Sequence, residues 1–204
     1  MTRLVIVRHG NTFEAGEEPR RVGARTDLPL TEAGIEQARA LGWHFARNRV
    51  QFDRVLSSPL LRTRHTASEI VDKEPETADF LLEIDHGPDE NLTEEAVIAR
   101  IGREALEAWE RSLIAPPGWD VGAEWRIAAW QEFAATADGT ILLVTSNGAA
   151  RFALAALGLM GEDGALKLRT GSYGVIDIHG SAARLVGWNQ RPGAAGDKGL
   201  FQWS

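Results

Sequence analysis

Four consecutive apolar residues, Leu4 to Val7, run straight into an arginine and a histidine in the stretch LVIVRHGNT. A short apolar run bounded in this way reads as a strand buried on both faces, and such strands belong to parallel sheets covered by helices. In open sheets of that kind, ligands bind beyond the carboxyl ends of the strands. Arg8 and His9 therefore stand where a site would be built, although a lone histidine is equally at home as a satisfied core or surface residue.

The rest of the chain keeps to the same plan. FDRVLSS and TILLVTS read as further strands, DFLLEI as a short strand candidate, and YGVIDI and ARLVGWN flank HGSA as a hairpin. Thr31 is a good N-cap for a helix with Ala38, Leu41 and Phe45 on one stripe. Ser58 and Pro59 supply a cap and a first-turn proline for a helix reaching about Val71. A helical pattern through Val97, Ile101, Trp109 and Leu113 covers residues 93–113; APPGWDVG breaks it and AEWRIAAWQEFAATA resumes it. AARFALAALGL makes a last helix. The expected fold is α/β, a three-layer α/β/α sandwich around a mostly parallel sheet, as a single domain over 1–204 with a helical insertion at about 93–137.

At 204 residues the chain is the size of one domain. A net charge of −7 argues against a non-specific grip on nucleic acid, which needs a basic face. With no cysteine there is no disulfide, no thiolate metal site and no thiol nucleophile. No run approaches the roughly 18–20 apolar residues of a membrane span, and the opening residues reach charge too soon for a signal peptide. A soluble, cytoplasmic protein is expected, with neither nucleic acid nor membrane as partner.

Other strand ends carry matching equipment. Arg62 falls in the first turn of a helix just after a strand, where a plain helix-surface arginine is the alternative. TSNGAAR ends a strand and starts a helix, whose free amides attract anions. Glu83 follows a short strand beside a loop, where it could also be a solvated charge. Guanidiniums bind phosphoryl oxygens bidentately, and phosphoryl transfer is chiefly positioning and charge stabilisation. A neutral imidazole is a competent nucleophile towards phosphorus and divides one hard step into two.

LVIVRHGNT, RTDLPLTEAGIEQARALG, FDRVLSSPLLRTRHTA and LLEIDHGPDE, followed by TILLVTSNGAARFAL, resemble the histidine phosphatase superfamily with its phosphoglycerate-mutase-like fold. The resemblance implies His9 as the phosphorylated nucleophile, Arg8 and Arg62 as phosphoryl-binding groups, and Glu83 as proton donor. It also implies that no metal or organic cofactor is needed. The family normally reads Ser-His-Gly in the last block, where this chain has Asn147. An asparagine donates a hydrogen bond but carries no charge, a deficit of about 1–2 kcal/mol that slows turnover about 5- to 30-fold if it falls on the transition state. Arg21 and Arg25, with Arg20, either meet a second anionic group on the substrate or pair with Glu14, Glu17 and Glu18 of their own loop; pairing is the preferred reading. The expected function is a phosphomonoester hydrolase acting through a phosphohistidine on a small phosphorylated substrate, as a monomer or homodimer. A weakly active relative that binds a phosphorylated ligand or partner is the alternative, and a phosphoglycerate mutase a more distant one.

Overall fold

The computed structural model describes residues 1–161 and 166–193. Its strands are β1 (Thr2–Arg8), β2 (Arg54–Ser57), β3 (Glu76–Thr77), β4 (Gly139–Thr145), β5 (Tyr173–His179) and β6 (Ala182–Gln190). Its helices are α1 (Glu32–Arg47), α2 (Leu61–Ile70), α3 (Glu94–Ile101), α4 (Arg103–Ser112), α5 (Ala123–Thr136) and α6 (Asn147–Ala156). The strands form one sheet in the order β3-β2-β4-β1-β5-β6. The first four run parallel, and β5 and β6 continue the sheet as an antiparallel hairpin beside β1.

Alternation along the strands explains why the apolar runs are continuous. Residues two apart share a face of a sheet. Leu4 and Ile6 join Ile141, Leu143, Ile176 and Ile178 in one core, with Trp109, Trp130 and Phe152 from α4, α5 and α6. Val5 and Val7 join Leu142, Val144 and Val175 in another, with Leu41 and Phe45 from α1 and Ala67 and Ile70 from α2. The sheet is thus the middle of three layers, as the sequence implies. No described helix is long and apolar enough to cross a membrane.

Local chemistry sets the helix starts. Thr31 caps α1 by accepting from the Gly34 amide, and Ala38, Leu41 and Phe45 are buried on its inner face. Ser58 does not cap α2. Its hydroxyl accepts from the Leu60 amide and bonds Thr63 Oγ1, and the helix begins only at Leu61, whose amide donates to Asp27 in the long loop. Two further expectations need correction. DFLLEI is no strand: Asp79–Leu81 is a single 3-10 turn, and pairing stops at Thr77. The carbonyls of Phe80, Leu82 and Glu83 accept instead from the buried Arg126 guanidinium, which takes the place of a neighbouring strand. The helix expected over 93–113 is broken at Gly102, which has φ +81° and ψ 155°, a conformation essentially closed to other residues.

The turn after β1 is wedged against α1. A Cβ on Gly10 would lie 2.2 Å from the Gly34 carbonyl oxygen, a backbone atom with nowhere to retreat. Gly10→Ala is expected to lose about 1–3 kcal/mol of stability, seen as a lower urea midpoint at unchanged m-value.

Candidate active site

His9 is the first residue beyond β1, and its ring is buried. Nδ1 lies 2.7 Å from the Gly10 carbonyl oxygen. A carbonyl only accepts, so Nδ1 carries the proton and Nε2 keeps its lone pair. Burial, reinforced by the charges of Arg62 and Arg8, holds the ring's pKa well below its ordinary value; the Gly10 bond opposes this less strongly. At neutral pH the site therefore presents an uncharged imidazole with one nitrogen free to attack.

The cations around it are satisfied in a particular way. Arg62 is fully buried in the first turn of α2, and its terminal nitrogens donate to the carbonyls of Thr26 (2.7 Å) and Gly23 (3.1 Å). Arg8 donates to the Leu168 carbonyl at 2.9 Å. The Nε of each is buried without a partner. Burial, with Arg151 and Arg62 adding to it, lowers Arg8 to about 10, still fully charged at pH 7. Thr66 on α2 accepts from the Gly10 amide and donates to the Arg62 carbonyl, locking the helix to the turn that carries His9.

Glu83 answers these cations from the segment that Arg126 holds. One carboxylate oxygen accepts from the amides of Ile84 (2.9 Å) and Ala149 (3.0 Å), the other from that of Gly148 (3.1 Å). Two of those amides open α6, so the positive end of the helix faces the carboxylate. Arg8, Arg21, Arg62, Arg126 and Arg151 all experience the charge of Glu83.

A cleft of two lobes, about 680 and 450 Å³, opens over the strand ends. Arg8, Glu83, Arg20 and Lys167 wall both lobes; His9 belongs to the larger and Asn147 to the smaller. Asn147 opens α6, and its Oδ1 accepts from the Leu168 amide at 2.9 Å, leaving its NH₂ as the remaining polar end. Arg21 walls the smaller lobe, lies 5.2 Å from the Trp119 ring and pairs with Glu94 at 3.7 Å. Arg25 is not in either wall: Asp85 and the Gly87 carbonyl hold it outside. Of the three loop arginines only Arg20 pairs within the loop, with Glu17 at 3.7 Å. The sequence reading missed Arg151, Lys167, Arg169 and Arg191 in the cleft walls. Arg151 alone had a signal, standing four residues after Asn147 on one helical face. Among the described residues no group of three His, Cys, Asp or Glu side chains is placed to hold a metal ion.

A family model for the histidine phosphatase superfamily (branch 1) matches residues 4–191. Two 2,3-bisphosphoglycerate-dependent phosphoglycerate mutases from strains of Rhizobium etli are similar in sequence. One is 32% identical over 123 residues, 57% of this chain and only 58% of the relative's length. The other is 31% identical over 198 residues, 86% of this chain and 90% of the relative. The fold matches that of the alpha-ribazole phosphatase from Shigella flexneri with a TM-score of 0.75 at 25% identity, over 95% of this chain and 98% of that one.

The suppressed protonation of His9 has a measurable consequence. Below pH 6.5, the ordinary value, the unfolded chain takes up a proton on His9 that the native protein refuses, so native stability falls as pH falls. His9→Asn removes this liability. Its stability relative to wild type is expected to rise as pH drops through that window, by up to about 1.4 kcal/mol per pH unit, in urea unfolding at a series of pH values.

Proposed function

The chain belongs to the histidine phosphatase superfamily, branch 1, and on that footing we propose that it is a phosphomonoester hydrolase working through a phosphohistidine on a small phosphorylated substrate. The observation that carries this reading is the neutral His9 ring, its tautomer set by Gly10, lying within reach of the Arg8 and Arg62 charges. Nε2 attacks phosphorus while the two guanidiniums stabilise charge developing on the phosphoryl oxygens. The P–O bond to the leaving group breaks, and the departing oxygen takes the proton of Glu83, which enters the cycle in its protonated form and leaves this step as the carboxylate. Water then attacks the phosphohistidine, gives its proton back to Glu83, and releases phosphate with the imidazole restored.

Glu83 suits both halves of that cycle. A carboxylate offers about four lone-pair sites, and backbone amides occupy three of them. The fourth is left for the proton that shuttles. The cleft lobes suit a small molecule, and the walls give a phosphate ester its charge complement in Arg8, Arg20 and Lys167. The mutase names of the sequence relatives define the competing outcome: phosphate moved within a phosphoglycerate rather than released to water.

Incubation with labelled phosphate esters, followed by alkaline quench, should trap an acid-labile phosphoenzyme on His9. Across a panel of sugar, nucleotide and carboxylate phosphates, at least one ester should release inorganic phosphate. His9→Ala should lower that release by at least about a thousandfold, and Glu83→Gln by about 10²–10⁴. Isomerised phosphoglycerate without phosphate release contradicts the hydrolase reading, as does a His9→Ala protein that retains the wild-type rate.

A further inference from the structure

Asn147 stands in the smaller lobe as a neutral group whose oxygen is committed to the Leu168 amide. One turn further along α6 is Arg151, 2% exposed. Side chains on a helix lean towards its N-terminus, so a long side chain at 151 covers the turn that carries residue 147. Arg151 walls the same lobe as Arg8, Glu83, Asn147 and Gly148. Its only described hydrogen bond is a long one, 3.4 Å from a terminal nitrogen to the Trp109 carbonyl, and its Nε is buried without a partner. Among the described residues no carboxylate lies within ion-pairing distance of it. Its charge is felt at Arg8, whose own Nε is also unpartnered.

A buried guanidinium with donors unmet and no carboxylate in ion-pair contact, only the more distant charges of Glu110 and Glu83, is a costly arrangement. Arg8 and Arg151 face one lobe, and an anion lying between them would offset that cost beyond what Glu83 does. We propose that Arg151 is an anion-binding residue of this site, which together with Arg8 holds a phosphoryl oxygen and supplies the positive charge that the amide of Asn147 lacks. The inference rests on the phosphoryl-transfer reading above and adds a residue to it. The competing role for Arg151 is a strut against the Trp109 carbonyl and ring, the latter 5.6 Å away.

Calorimetric titration with inorganic phosphate separates the two. Arg151→Gln keeps a polar donor on a shorter side chain and drops the charge; it should weaken phosphate binding about tenfold or more, as expected for loss of a charge-assisted bond. Its melting temperature should hold or rise, because a buried charge with no ion-pair contact has been removed. Asn147→His in the Arg151→Gln background, at pH 6 where an introduced imidazole carries charge, should recover several-fold of the lost affinity. Arg151→Met repeats the test without the donor. Phosphate bound by Arg151→Gln within threefold of wild type overturns the inference, and so does a loss of melting temperature in both variants with affinity intact. Because the readout is phosphate affinity, it stands apart from the trapped phosphoenzyme. A wild type that forms no phosphohistidine, yet loses phosphate binding on Arg151→Gln, ends the hydrolase reading and keeps the anion site.

Discussion

The contact between His9 Nδ1 and the Gly10 carbonyl is small, but the chemistry of the cleft hangs on it. It decides which nitrogen holds the proton, and burial of the ring, reinforced by the charges of Arg62 and Arg8, decides that there is only one proton to hold. A ring so placed needs a floor that does not move. Strand β1 provides it, flanked by β4 and β5 and covered on both faces, so that the chain can end an apolar run on two costly side chains. Thr66 then ties the turn to α2, and the backbone of Gly10 rests against Gly34 of α1.

The arginines divide by what they touch. Arg3 grips Asp177 through two short bonds across the β1–β5 pairing, and Arg100 grips Asp89; these are cations neutralised by carboxylates and used as fasteners. Arg20 and Arg21 in the cleft walls meet Glu17 and Glu94, but three arginines closer to His9 and Asn147 hydrogen-bond carbonyls instead. Arg62 is held by Gly23 and Thr26, Arg8 by Leu168 and Arg151 by Trp109. A carbonyl orients a guanidinium without cancelling its charge, which leaves the field free for an anionic ligand. Glu83 is treated in mirror image, oriented by three amides rather than by a cation. The site is thereby kept electrostatically open while every principal group is fixed in place.

Much of this was legible in the sequence where the cause is local. The LVIV run, Thr31 with its three-residue stripe, and the YGVIDI hairpin each encode their element within a few residues, and Arg8 and His9 stand at the end of β1 in the wall of the larger lobe. What could not be read depends on partners remote in the chain. Glu83 sits on irregular backbone because Arg126, 43 residues away, takes its carbonyl. Arg25 leaves the cleft because Asp85, 60 residues on, captures it. Ser58 and Pro59 look like a helix start, but Asp27 supplies the amide acceptor and shifts the start to Leu61. Residues 166–172 lie over the strand end, with Leu168 bonded to both Arg8 and Asn147, through a packing that no local pattern announces.

The central claim is that His9 is an uncharged imidazole with its proton on Nδ1 and its nucleophilic lone pair on Nε2. Long-range ¹H–¹⁵N correlation spectra of protein labelled at histidine, assigned with His9→Asn, read both properties directly. At pH 7 the account predicts a pyrrole-like Nδ1, a pyridine-like Nε2, and no titration of the ring down through pH 6.5. A cationic ring at pH 7, or a neutral one protonated on Nε2, would contradict it.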